Sequence, residues 1–286
     1  MTSPQGPGSP FQLLFSEAPE REPSLPEAFR RIYPDDWHIP AVHGRPYVYT
    51  NFATSRDGRI SYKIPGLEGG GDITGNDPHD IWLMGLLRAR ADAVLNGDVT
   101  VELEPDRIWS AENVYPEDAA AFTHLRRAEG RRPMPLQVIL SLEARLNFEA
   151  ACFSREDMHV VLATTARGAA NARGVQCPAR LDVLALGEAA AHLPTLVEIL
   201  RRDYGVQTLL CEGGARVLAN MLDDRLVDEE FVSLCPRFVG RDPANFRPSY
   251  TEGVAWRPES APYSKPLSLH RAGDLLFLRT RCVYAE

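Results

Sequence analysis

Apolar residues in this chain fall into short runs, and between the runs they recur at helical spacing. Residues 47–54 (Tyr-Val-Tyr-Thr-Asn-Phe-Ala-Thr) are rich in aromatic and β-branched types and predict a strand. Short apolar runs at 92–96, 136–141, 158–163, 181–184 and 207–211 predict further buried strands. Asn76 or Asp77 caps a helix with Pro78 early in it and Ile81, Met84, Leu86 and Leu87 on its apolar face. More helices are predicted at 116–129, 165–172, 189–203 and 214–223, the last with Leu218, Met221 and Leu222 at helical spacing. Late strands are predicted at 228–235, 267–271 and 274–284, the last two joined at Ala272-Gly273 as an antiparallel hairpin. This alternation predicts an α/β fold: a mainly parallel central sheet flanked by helices, with an antiparallel C-terminal hairpin at its edge.

The same pattern divides the chain at residue 44. Residues 1–43 read as an N-terminal extension and 44–286 as the main domain. Three prolines, two glycines and two serines in residues 1–10 predict disorder there. Phe11, Leu13, Leu14 and Phe15, then Leu25, Phe29, Ile32, Tyr33 and Trp37, predict packing on the body or a partner subunit, with a short helix near 25–32. The four glycines between Gly66 and Asp72 predict a mobile loop. Residues 102–133 read as a polar, irregular insertion around the helix at 116–129.

Composition narrows the function. At 44% hydrophobic and 24% charged, the 286 residues are those of a globular protein. A net charge of −8 without a Lys/Arg run argues against a nucleic-acid surface, though a glycine turn or single arginine can still bind a small anion. No apolar run approaches the roughly 20 residues of a membrane span, and the start lacks a signal-peptide pattern. Five cysteines without Cys-x-x-Cys or Cys/His spacing predict neither zinc nor a disulfide framework, and a cytoplasmic location fits them best. None of the seven histidines is paired in a way that suggests catalysis or metal binding.

The candidate chemistry lies at two glycine-marked strand ends. Glu212-Gly213-Gly214 separates an apolar strand from an amphipathic helix, so backbone N–H groups and the helix N-terminus can receive a phosphate. The segment 92–100 ends its strand similarly, at Asn96-Gly97-Asp98. Together they point to a ligand in the crevice at the carboxyl edge of a parallel sheet; ordinary strand-to-helix connections are the alternative. Glu212 ends a buried strand, so its carboxylate must meet a ligand, an N–H cluster or a basic partner. Asp57 before Gly58 is either a site residue or a turn cap, and Asn51 either a ligand contact or a satisfied buried amide. Arg88 and Arg90 end a helix, where surface charge favoured by the dipole is the simpler reading, above all for Arg90.

Four ordered segments carry a resemblance. They are Arg45-Pro46-Tyr47-Val48 with Asn51 and 53–60, then 87–101, then Glu212-Gly213-Gly214, then Leu226-Val227-Asp228-Glu229 with Pro236 and Gly240. In order and spacing, over roughly 45–285, they resemble the riboflavin-biosynthesis pyrimidine reductase family. The resemblance implies a dihydrofolate-reductase-like fold and a homodimer. It also implies hydride transfer from NADPH to the ribosyl carbon of a ribosylaminopyrimidine 5′-phosphate. By the same resemblance Asp57 and Glu212 are catalytic, and Asn51, Ser55, Thr74 and Arg88 bind substrate. Ala53, Gly97, Asp98, Thr100, Ser141, Thr164, Gly213, Gly214 and Ala215 then bind the cofactor. The alternatives keep the fold: another pterin or dihydrofolate-like or specialised substrate, or NADP(H) binding without turnover.

The chain departs from the family at three places. Asn51 stands where fused bacterial enzymes carry lysine, and so resembles the archaeal and fungal type. Arg56 replaces a leucine, and Val101-Glu102-Leu103-Glu104-Pro105 replaces an Asp-x-Pro element. The His-x-Glu and Pro-Cys-x-x-Cys of the zinc deaminase often fused to this reductase do not occur, so a stand-alone reductase is expected.

Overall fold

The computed structural model describes residues 3–17 and 22–285. After an outer strand β1 (Gln12–Ser16) and a short helix α1 (Glu27–Arg30), the body opens with β2 (Tyr47–Thr54), α2 (Gly70–Thr74) and α3 (Pro78–Ala89). It continues through β3 (Ala93–Gly97), three helices α4 (Asp98–Leu103), α5 (Ala111–Val114) and α6 (Ala119–Ala128), and β4 (Leu136–Leu140). Then come β5 (His159–Thr164), α7 (Ala166–Asn171), β6 (Arg180–Ala185), α8 (Leu193–Tyr204), β7 (Thr208–Cys211) and α9 (Ala215–Asp223). Strands β8 (Glu229–Leu234), β9 (Tyr263–Ala272) and β10 (Leu275–Val283) complete the sheet. Its ten strands run in the order β1-β9-β10-β8-β2-β7-β3-β4-β5-β6. From β8 to β6 every pairing is parallel, and β8, β10, β9 and β1 pair antiparallel.

Alternation along the strands assigns residues to faces. Tyr49, Val94, Leu210 and Ile139 face a core shared with Trp82, Leu86 and Leu87 of α3 and Phe122 and Leu125 of α6. Val48, Leu95 and Leu209 face the opposite core with Leu196 and Leu200 of α8 and Leu218 and Met221 of α9. Strand β7 lies between β2 and β3. The connection leaving β2 therefore covers one face, and the connection leaving β7 covers the other. Such a switch point opens a crevice at the carboxyl ends of the strands, and Glu212 and its two glycines sit in it.

Several local expectations change. Asp77, not Asn76, caps α3, accepting from the N–H groups of His79 and Asp80, while Asn76 turns at φ +56°. The expected mobile loop at 66–72 ends in α2, terminated by Gly75 at φ +71°. The insertion 102–133 is helical over much of its length, because Val101, Trp109, Ala111 and Phe122 bury against α3. The hairpin β9–β10 is not the sheet edge: β1 pairs with β9 outside it. Residues 3–10, expected to be disordered, are held instead; Asp118 accepts from the N–H groups of Gln5 and Gly6 and from Trp82 Nε1. Residues 1, 2 and 18–21 of the extension lie outside the described residues.

Candidate functional site

Register brings three polar residues into one row. Thr50 and Leu95 both pair with Cys211, so Asn51 on β2, Glu212 just past the end of β7 and Asn96 on β3 follow at one level. All three belong to the sheet face covered by α3. Glu212 is the centre of the row. Arg88 donates Nε to its Oε1 and Oε2 at 3.2 and 3.0 Å and Nη2 to Oε2 at 2.8 Å, and Asn51 Nδ2 donates to Oε1 at 3.3 Å. The pair is buried on both sides, so the carboxylate has found a basic partner in a two-pronged, charge-assisted contact. Arg88 comes from the last turn of α3, whose end carbonyls are taken by Arg126 through Arg88, Ala89 and Ala91. Arg126 drew no attention in the sequence. Arg90 is buried rather than a surface charge, stacked 4.9 Å from the Trp37 ring and bonded to Glu129 at 2.7 Å.

Asn96 is the residue that sequence reasoning missed. It is fully buried, yet neither Oδ1 nor Nδ2 has a hydrogen-bond partner among the described residues. A buried primary amide left unpaired costs roughly 1–3 kcal/mol per group, so a donor–acceptor pair is held open beside Glu212. An asparagine interrupting the apolar run Ala93-Val94-Leu95 was the available signal.

A second carboxyl also lay hidden. Asp80, in the first turn of α3, accepts from Thr74 Oγ1 at 3.1 Å, and Ser233 Oγ, buried and without a well-formed bond, faces the same group. Burial pushes its pKa up to about 6 against those two hydroxyls, with the charges of Asp77 and Glu212 adding to the rise. Thr74, expected at the substrate, thus serves Asp80. Asp80 and Arg88 lie two turns apart on one stripe of α3 and bracket the floor of the crevice.

Asp57 is used differently from the expectation of a catalytic acid. Its oxygens accept from Val239 N at 2.9 Å, Gly240 N at 2.8 Å and Ser55 Oγ at 2.7 Å. Burial alone would raise its pKa, but these donors outweigh it and hold the group at about 2. Asp57 therefore ties the turn after β2 to the segment after β8 and holds no proton at neutral pH. Ser55 is part of the same turn, accepting from Arg59 N at 2.9 Å.

The residues expected at a cofactor line the carboxyl ends of consecutive strands. Ala53 is the last residue but one of β2, Gly97 ends β3, and Thr164 ends β5. Ser141 Oγ donates to Asp98 Oδ2 at 2.7 Å, bridging the ends of β4 and β3, and Thr164 Oγ1 donates to Leu142 O at 3.3 Å. Thr100 lies within α4. At the start of α9, Gly214 is exposed, no side chain caps the helix, and a Cβ on Gly214 would meet nothing within 4 Å. Gly213 is closer packed, its Cβ position lying 3.0 Å from Val217. Ala215 follows as the first buried residue of the helix. The N–H groups there are aligned and open toward the crevice, as an anion requires.

Comparison with known proteins bears on this geometry. Residues 46–260 match the RibD C-terminal domain family. The 2,5-diamino-6-ribosylamino-4(3H)-pyrimidinone 5′-phosphate reductase of Archaeoglobus fulgidus is 29% identical over 196 residues, 68% of this chain and 83% of that protein. A pyrimidine reductase-like protein from Corynebacterium diphtheriae superposes with a TM-score of 0.64 at 18% identity, over 83% of this chain and 92% of that one. RibD of Acinetobacter baumannii superposes with a TM-score of 0.58 at 20% identity over 84% of this chain, which spans 59% of that longer protein.

Proposed function

Because the chain belongs to the RibD C-terminal domain family, we propose that it is an NADPH-dependent reductase of a ribosylaminopyrimidine 5′-phosphate, taking ribosyl to ribityl in riboflavin biosynthesis. The observation that carries this reading is the buried row Asn51–Glu212–Asn96, set beside an uncapped glycine turn in the crevice of a parallel sheet. NADPH, when bound, supplies the hydride. Gly97, Gly213, Gly214 and Ala215 offer backbone to its phosphates, and Asp98, Thr100, Ser141 and Thr164 line the strand ends beyond. The open amide of Asn96 suits a ring or sugar with adjacent donor and acceptor.

The reduction also consumes a proton. Asp80 is the carboxyl of this region poised to hold one near neutral pH, whereas Glu212 is committed to Arg88 and Asp57 to its turn. We assign Glu212 and Arg88 to orienting Asn51 and the crevice floor, and Asp80 to proton supply. Asn51 and the Archaeoglobus relative favour the 2,5-diaminopyrimidinone over the uracil form of the substrate. We read the active form as a cytoplasmic homodimer. The purified protein, given NADPH and each phosphorylated ribosylaminopyrimidine in turn, should oxidise the cofactor, and with dihydrofolate it should not. Equal oxidation with dihydrofolate, or none with either pyrimidine, would overturn the proposal.

A further inference from the structure

A positively charged lobe continues the crevice beyond β2 and β8. Residues 55–63 and 235–250 contain six cations, Arg56, Arg59, Lys63, Arg237, Arg241 and Arg247, against two acids, Asp57 and Asp242, in a chain of net charge −8. The two segments form one body. Arg56 N donates to Arg237 O at 2.7 Å, Arg59 pairs with Ser249 across a β-bridge, and Asp57 binds the N–H groups of Val239 and Gly240. Neither acid neutralises the cluster. Asp57 is spent on those N–H groups, with Arg59 Nε only at 4.0 Å, and Asp242 accepts from Asn245 and Ala244, with Arg247 a weaker influence on it. Among the described residues no other cation of the lobe is within ion-pair range of a carboxylate.

The cations are also held in place. Arg59 Nη1 donates to Ser249 Oγ at 2.6 Å and Arg247 Nη1 to Val239 O, while the Nε atoms of both are buried without a hydrogen-bond partner among the described residues. Lys63 and Arg241 stand over the same Phe246 ring, 5.4 and 5.8 Å from its centre, and Phe246 is itself half exposed. Like charges fixed this close repel one another, and buried guanidinium N–H groups lose water without gaining an acceptor. An anion answers both. The turn begins four residues after Asn51 on β2, roughly 13 Å along the strand.

We infer that this lobe, around Arg59, Lys63, Arg241 and Arg247, is a binding site for a phosphate monoester dianion. The inference rests on the reductase reading above for the source of that group: the 5′-phosphate of the substrate or the 2′-phosphate of the cofactor. The test compares the intact protein with the Lys63→Gln/Arg241→Gln double variant, whose altered side chains lie on the surface. The probes are inorganic phosphate against chloride at matched ionic strength, ribose 5-phosphate against ribose, and NADPH against NADH. Phosphate should raise the Tm of the unaltered protein and not that of the variant. The variant should bind ribose 5-phosphate about tenfold or more weakly, with the NADPH/NADH ratio unchanged. A tenfold loss confined to NADPH also supports the site and assigns it to the cofactor. If phosphate and both monoesters bind the variant as they bind the parent, or phosphate protects the parent no better than chloride, the site is overturned. Phosphate protection in a protein that turns over no pyrimidine would sink the reductase reading and leave the lobe standing.

Discussion

Glu212 shows how one carboxylate divides between structure and chemistry. Three hydrogen bonds from Arg88 and one from Asn51 fill its oxygens, and all three side chains are buried. Glu212→Gln leaves the Arg88 guanidinium facing a neutral amide. It should lower stability by about 1–3 kcal/mol in urea unfolding, and an unchanged midpoint would dismiss the pair as a stabilising contact. Asp80 carries the opposite lesson. Its pKa rises from 3.8 to about 6 on folding, so the folded chain binds its proton more tightly than the unfolded one. Its contribution to stability is then complete below about pH 4 and is lost as the pH climbs through about 6, a change of roughly 3 kcal/mol. Asp80→Asn should therefore gain on the parent between pH 4 and pH 7 by about that amount. A difference that does not vary with pH would place Asp80 in an ordinary polar environment. The same variant should flatten the pH profile of kcat near 6, which a purely structural aspartate would not do.

At the scale of elements, the turn from β7 into α9 contains two glycines with different burdens. Gly213 is pressed against Val217, whereas Gly214 has open space where a Cβ would lie and a backbone at φ −65° that alanine accepts. Gly214→Ala should fold with an unchanged Tm and bind NADPH at least about tenfold more weakly, because the added methyl occupies ligand space at the helix N-terminus. Unchanged affinity by calorimetry would leave the turn as a connection only. Gly168 at α7 behaves in the opposite sense. A Cβ there would lie 1.8 Å from Thr164 Oγ1 and 2.7 Å from Leu142 O, so Gly168→Ala must displace the end of β5. That substitution should lower the Tm clearly and disturb the Thr164 side of the crevice with it.

For the whole molecule, β1 rather than the C-terminal hairpin is the strand that ends the sheet among the described residues. Among the described residues no further strand pairs outside it, and Leu13, Leu14 and Phe15 are exposed in succession. An exposed apolar strand at the end of a sheet invites pairing with another copy, and an antiparallel pairing of β1 with itself closes on a two-fold axis. We expect light scattering at micromolar concentration to give twice the chain mass of 31.8 kDa, and Leu14→Lys with Phe15→Lys to shift it toward one. A monomer in the unaltered protein would rule this out. Cofactor preference belongs to this scale too, because it is motivated by family membership and the two glycine-marked strand ends together rather than by any one residue. NADPH should bind more tightly than NADH, and equal affinities would overturn that preference.

Much of this was legible without coordinates because it is local. Periodicity gave the parallel strands and their helices, Pro78 after Asp77 gave the start of α3, and Glu212-Gly213-Gly214 marked the crevice from three adjacent residues. Residues brought together across the sheet were not legible. Arg88 meets Glu212 over 124 positions, and Asp57 meets Gly240 over 183. Burial of Arg90 and Arg126, the raised pKa of Asp80 and the open amide of Asn96 depend on what packs above each group. So does the order of the residues at the N-terminus, where a composition suited to disorder is held by Asp118 and a tenth strand. Sequence alone determined the parallel strands and most of the helices between them, because those follow from neighbours three or four positions away, but not β1, α2 or α5, which form only against the rest of the chain. Only the tertiary structure decided which charges are paired, which are left to a ligand and which strand ends the sheet, because those depend on solvent exclusion and pairing by distant parts of the chain.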